Sequence, residues 1–409
     1  MSIFHRAKES ILDCCYIWRE ELKQMLKDEG VLIFCIVVPL LYPLLYSWIY
    51  NNEVVREVPV VVVDKSHSSL SRQFIRRCDA SPDVKIAYFA DDMDEAKMLV
   101  SRQIVKGIYL IPEDFETRAG RLEQATIGVY CNMSLMLTYK AIFQTAQAVS
   151  MEMGTEIRTR LSQPWTERDA EISARPLDVD EVAIFNPTGG YGSAILPGVL
   201  ILIIQQTLVL GIGMAAGTAR ENNRFKQLIP VSRHYHGMFR IVAGKGLAYF
   251  MVYAVLTAYL TLIVPRLFHF TAIGQWQPLL AFLIPYLLAC IFFGMVVSCL
   301  IRFRENVMLL IVFVSVPLLF LSGVSWPQSN IPPFWQAVSC LFPSTFGIRG
   351  FVRINEMGGT LYEVLPEYQI LWLQTAVYFI IACLVYRYQI HLEHDSERGS
   401  QPSPQPVQD

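Results

Sequence analysis

Six stretches of this 409-residue chain contain no Asp, Glu, Lys, Arg or His. They lie near 31–50, 193–216, 247–265, 278–300, 307–326 and 369–386, and each is long enough to cross a bilayer as a helix. Titratable side chains within a bilayer mark proton relays and ion paths, so their absence argues against a proton-driven carrier. A sodium-coupled carrier built from carbonyls and hydroxyls stays open. The chain also has no GxGxxG and no P-loop. Its nearest approach to the latter is "AGKG" at 243–246, which has neither the upstream Gly nor a Ser or Thr after Lys245. If the protein transports, its energy comes from elsewhere. No small-residue cleavage site follows the first apolar run, which therefore reads as an uncleaved span. The nine cysteines form no CxxC pair or Cys/His ligand set.

What is present is a chain 53% apolar, with mean hydropathy +0.36 and a net charge of −2. That balance fits membrane spans plus a sizeable water-exposed portion and gives no nucleic-acid signal. The expected fold is an α-helical integral membrane protein with six transmembrane helices, plus an α/β extracytoplasmic domain inserted between spans 1 and 2. Lys and Arg in the tails and short loops orient it. With the N-terminus inside, fifteen fall in inside segments and three outside, the other sixteen lying in the long 51–190 segment. Both termini are then cytoplasmic, and 51–190 is outside.

Residues 1–30 read as a cytoplasmic amphipathic helix, with Ile11, Cys15, Trp18, Leu22 and Met25 at helical spacing, lying along the membrane surface. Segment 31–50 is span 1. The 51–190 segment alternates strands at 58–64, 84–90, 105–112 and 125–132 with helices at 68–78, 91–102 and about 134–162, a compact α/β pattern. It shows no catalytic constellation, its one His being His67, so binding or docking is expected of it. Cys78 and Cys131 share it and are its one candidate pair. Residues 163–185 read as a polar return linker, and the Gly- and Pro-rich entry at 185–200 as a turn into a tightly packed helix. Spans 2–6 occupy 191–388. Residues 323–358, rich in Pro and aromatics, read as interfacial or re-entrant helices on the outer side, and 389–409 as a disordered cytoplasmic tail.

The basic loop 217–246 carries six Lys and Arg and runs directly into span 3. Its part 230–245 is helix-compatible, a stiff element through which a separate ATPase would push, or else an ordinary basic loop. Gln205, Gln206 and Thr207 form the strongest polar cluster within a span, serving a pathway, a dimer interface or packing. Trp326, Pro327, Phe334 and Trp335 are interface anchors or an outer gate. His234 and His236, like His391 and His394, have no third ligand nearby and read as solvated histidines.

Four features in order resemble the permease subunits of type-2 ABC exporters, in the branch with a large extracytoplasmic domain after the first span. They are the amphipathic N-terminal helix, "NP…Y…ILPGVL" from Asn186 to Leu200, "ARE…FKQLIPVS…GK" from Ala219 to Lys245, and "LSGVSWPQSNIPPFWQAVSCLFPSTFGIRG" from Leu321 to Gly350. The resemblance covers nearly the whole chain. It implies two permeases, identical or sister copies, driven by cytoplasmic ABC ATPase subunits that hold the ATP and Mg²⁺, with no cofactor in this chain. It places ATPase coupling on Trp18, Arg19, Glu221, Lys226, Gln227, Leu228, Pro230, Val231, Ser232, Arg233 and Tyr235. At 222–228 the chain departs from the family's charged run, carrying "NNRFKQL". Members often work with a periplasmic adaptor and an outer-membrane channel in the bacterial inner membrane, expelling drugs or other amphiphiles. The alternative is a membrane-anchored sensor or docking scaffold.

Overall fold

A computed structural model describes residues 3–399 except 52–53, 122, 134, 163–184, 187–189, 222–236, 271 and 301–302. The chain divides into two units, one made of residues 1–51 and 185–409 and the other of residues 52–184.

The smaller unit is built on strand β1 (Val58–Asp64), whose run of valines suits a strand buried on both faces. Helix α3 (Ser69–Asp79) follows, started by a reciprocal capping box between Ser68 and Ser71. Then come β2 (Val84–Phe89), α4 (Met93–Ser101) capped by Asp92, β3 (Gly107–Ile111), α5 (Phe115–Gly120), β4 (Gly128–Cys131) and the 27-residue α6 (Met136–Ser162). The strand order is β2-β1-β3-β4, with β1 parallel to both neighbours and β4 antiparallel to β3. Alternation along β1 assigns its side chains. Val60 and Val62 join Phe74, Tyr109 and Ile142 in one core cluster, while Val61 and Val63 join Ala96, Val105 and Ile108 in the other. The strands and helices expected in this unit are present. Helix α5, too short to show a periodicity, is an addition. Cys78 and Cys131 are free thiols, and burial pushes Cys78 up to about 12.

The larger unit begins with α1 (Ile3–Lys27) and, among the described residues, contains six helices long and apolar enough to cross a membrane. These are α2 (Glu29–Ile49), α7 (Tyr191–Glu221), α8 (Gly237–Leu267), α9 (Trp276–Leu300), α10 (Arg304–Leu321) and α13 (Leu365–Gly399). Between the last two come a 3₁₀ turn (Gln328–Asn330), α11 (Pro333–Ser339) and α12 (Pro343–Asn355). Two helices contain a π turn, Ile33–Val37 in α2 and Tyr259–Ile263 in α8. Each lies just ahead of a proline, Pro39 or Pro265, whose ring would collide with the carbonyl four residues earlier in a regular helix.

Helix α7 is the axis of this unit, with most of its side chains buried, whereas α10 buries only Val307 and Leu318 and exposes Val312, Phe313, Val316 and Phe320. In the Gly/Pro-rich entry before α7, residues 187–189 lie outside the described residues. Asn186 has φ +48°, and its side chain bonds both the amide and the carbonyl of Gly190.

The face of α1 that packs inward is Ile17, Glu21 and Met25, while Ile11, Cys15 and the neighbouring Leu12 and Tyr16 are exposed. One expectation needs correction. Residues 389–399, assigned to a disordered tail, continue α13. An established helix adds a residue at far lower cost than it takes to nucleate one. The helix of span 3 starts ten residues before the charge-free run at 247–265, within the stretch read as helix-compatible and continuous with that span, and it carries Arg240 and Lys245.

Candidate coupling site

One end of the six-helix unit is closed by polar links between segments far apart in sequence. On α1, the Asp13 carboxylate accepts from the Arg240 guanidinium at 2.7 Å, and the Cys14 thiol donates to the Arg240 carbonyl at 3.5 Å. Burial raises the Cys14 pKa against the pull of Arg240, which suits a thiol acting as donor. Two turns on, Glu21 accepts from the Lys245 ammonium at 2.8 Å and from the Tyr249 hydroxyl at 3.1 Å. Glu21 is 6% exposed and Lys245 9%, so neither charge is tolerable without the other. The close approach of the helices depends on Gly244. A Cβ there would lie 3.0 Å from the Cys14 carbonyl oxygen and from Ile17. The first turns of α8 are thus clamped to α1 by two ion pairs on successive turns.

Asp28, in the break between α1 and α2, forms a second node. Its side chain caps α2, accepting from the Gly30 and Val31 amides at 3.1 and 3.3 Å. It also accepts from the Thr218 hydroxyl of α7 at 2.7 Å and from Arg304 of α10 at 3.0 Å. Burial works to raise the Asp28 carboxyl. The bonds from Thr218 and the Val31 and Gly30 amides, together with Arg304, outweigh it and hold the group below the usual carboxylate range. Gly217 lets the start of α10 approach α7, since a Cβ there would lie 3.0 Å from the Arg304 backbone. A third node joins α7 to two other helices. Arg220 donates to the Ser298 and Cys299 carbonyls at the end of α9, and the Gln389 amide of α13 donates to that same Cys299 carbonyl. Cations at helix carbonyl ends are favourable. All six long helices therefore meet at this end, together with both ends of the 217–246 loop.

Several expected coupling residues fall within this end. Glu221 is the last residue of α7 and exposed, Trp18 is half-buried on α1, and Arg19 is exposed beside it. Lys226, Gln227, Leu228, Pro230, Val231, Ser232, Arg233 and Tyr235 lie outside the described residues, as do His234 and His236. His391 and His394 fall in the last turns of α13. The clamp residues Asp13, Glu21, Asp28, Arg240 and Arg304 were not singled out from sequence. Glu21 carried a signal, since it sits at four-residue spacing between Ile17 and Met25, an acid in an apolar row. Lys245 stood only two residues before a charge-free run.

The polar cluster of α7 is dispersed. Gln205 is buried, and its side-chain carbonyl accepts from the Ser344 amide at 2.6 Å, capping the start of α12. Thr207 bonds back to the Ile203 and Ile204 carbonyls of its own helix. Gln206 is half-buried, with its amide nitrogen enclosed and without a hydrogen-bond partner. It lies two turns above Gly213, whose position meets Val307 of α10, and so belongs to the α10-facing side of α7.

At the opposite end, α11 and α12 behave differently. Trp326, Phe334 and Trp335 are at least half exposed, with the Phe334 and Trp335 rings edge-to-face at 5.3 Å; Pro327 precedes the 3₁₀ turn. Helix α12 instead inserts among α7 and α9. Gly347 and Gly350 face Tyr286 and Phe282 so closely that a Cβ would sit 2.3 and 2.1 Å from ring atoms. Among the described residues no group of three or more His, Cys, Asp or Glu is placed to hold a metal ion.

A family model described as "ABC-2 family transporter protein" matches residues 30–384. No curated protein matches the sequence.

Proposed function

The chain belongs to the ABC-2 transporter family, and from that premise we propose that it is the permease subunit of an ATP-driven exporter. Its cargo is an amphiphilic small molecule, drug or lipid-like compound taken from the cytoplasm or the leaflet facing it. The buried Glu21–Lys245 pair carries this reading. A leader helix lying on a membrane surface needs no buried ion pair, whereas a helix that must hand a displacement to span 3 needs a stiff joint.

In this reading the clamped end faces the cytoplasm, as the excess of Lys and Arg requires. A separate ABC ATPase, supplying ATP and Mg²⁺, docks on Trp18, Arg19, Glu221 and the 222–236 part of the loop. Its movement reaches α8 through Asp13–Arg240 and Glu21–Lys245, and reaches α2, α7 and α10 through Asp28. The apolar outer face of α10 meets a second permease copy or a sister permease. Gln206, on the α10-facing side of α7, lines the cargo path or the dimer seam. Trp326, Pro327, Phe334 and Trp335 gate the outer exit. Residues 51–190 lie outside the cell membrane, where a periplasmic adaptor and outer-membrane channel would dock in a bacterial inner membrane.

The test is reconstitution with the ATPase subunit in proteoliposomes. ATP-dependent movement of an amphiphilic dye is expected, and Lys245→Met should reduce it by about tenfold or more while ATPase binding persists. Uphill movement of the dye without any ATPase subunit would overturn the reading.

A further inference from the structure

The smaller unit contains a cavity of about 600 Å³ between α6, α5 and the strand β4. That size suits one drug-sized molecule. The walls are mainly apolar, with Phe74, Phe115, Ile127, Phe143 and Met153 among them. Glu123 before β4 and Gln147, Ser150 and Arg158 on α6 add polar side chains to the lining. Apolar walls with a small number of polar side chains form the usual pattern of a small-molecule site.

A second observation concerns Gly154, on the same wall and inside α6. A glycine within a helix costs roughly 0.5–1 kcal/mol relative to alanine. Several other glycines have an internal reason, although Gly120, which ends α5, has nothing within 4 Å of its Cβ position. Gly107, Gly211, Gly347 and Gly350 each stand where a Cβ would press within 3.0 Å of a neighbour. At the exposed Gly154 likewise nothing among the described residues lies within 4 Å of the Cβ position. Among the described residues no packing contact calls for glycine here, and the position is part of the cavity lining.

We propose that the smaller unit binds a small amphiphile in this cavity, with its apolar body against Phe74, Phe115, Phe143 and Met153 and its polar head toward Gln147, Ser150 and Arg158. Gly154 keeps the space open for the ligand. The site needs only the folded unit, so it stands whether or not the export reading does.

The experiment uses the full chain in lipid nanodiscs with two photoactivatable probes, a fatty acid and an alkylammonium, each with a diazirine in the alkyl chain. Covalent adducts are mapped by peptide mass spectrometry. Saturable labelling of peptides from 115–129 or 143–158 by at least one probe is expected, with the preferred probe reporting the head charge the site takes. Gly154→Leu should cut that labelling by about tenfold without lowering the unfolding temperature, because the change improves helix propensity and meets no neighbour. Ala119→Leu fills the cavity from the opposite wall and should do the same, covering the case in which Gly154→Leu disturbs folding. Met151→Leu, on an exposed position of α6 outside the cavity, should leave labelling unchanged. Labelling confined to the long apolar helices, labelling that does not saturate, or labelling equal in folded Gly154→Leu and Ala119→Leu would overturn the proposal.

Discussion

Glu21 and Lys245 show how a buried pair can hold two helices that propensity alone would leave apart. Removing one partner strands the other charge, so Lys245→Met should lower stability by about 3–5 kcal/mol. Glu21→Leu combined with Lys245→Met removes both charges and should recover much of that loss, seen as a higher unfolding temperature for the double variant than for the single one. Glu356, at the end of α12, makes a different case. Burial pushes its carboxyl up to about 8, and its Oε1 is enclosed without a hydrogen-bond partner. A carboxyl raised in the folded state contributes its full stability below the unfolded value near 4.5 and loses it as pH rises toward about 8. Melting curves from pH 5 to 9 should therefore fall, and Glu356→Gln should flatten them. Asp28 acts with the opposite sign. Its lowered pKa stabilises above the unfolded value, and that contribution disappears as pH drops through the folded value.

Among the elements, α12 depends most on small residues. Gly347 and Gly350 lie one turn apart and let Tyr286 and Phe282 of α9 rest on its backbone. Gly350→Ala should sharply reduce the yield of monodisperse protein, because its Cβ would lie 2.1 Å from the Phe282 ring. Adding Phe282→Ala should restore part of that yield, a coupling that size-exclusion profiles of the four proteins would measure. The insertion of α12 was only half legible. Pro and aromatic punctuation separated it from the spans, but its burial depends on Gln205 from α7 and on rings of α9, all far away in sequence. Helix α1 makes the same point. Its helicity and limits followed from periodicity, whereas the partners of Asp13 and Glu21 lie more than 200 residues away.

For the whole molecule, the open question is what covers α10. Its exposed face, including Val312, Phe313 and Val316, meets either acyl chains or a second permease. A photocrosslinking residue at Phe313 in native membranes should yield an adduct of twice the 46.6 kDa chain mass, if this helix forms the dimer seam. An equal adduct from position Trp372 on α13, and none from Phe313, would move the seam elsewhere. The two units differ in composition. One segment alternates valine-rich strands with charged helices, and the other concentrates the charge-free runs.

Hydropathy, period and local capping residues act over a few neighbours, so they prescribe the six long helices, β1 and the Ser68 cap before any packing is known. Pairing of Asp13 with Arg240, the three-helix node at Asp28, the use of Gln205 as a cap for α12 and the cavity beside Gly154 depend on which distant surfaces meet. Burial in three dimensions alone determines whether a charge, an amide or an absent side chain has a partner, and no window along the chain contains both halves of those contacts.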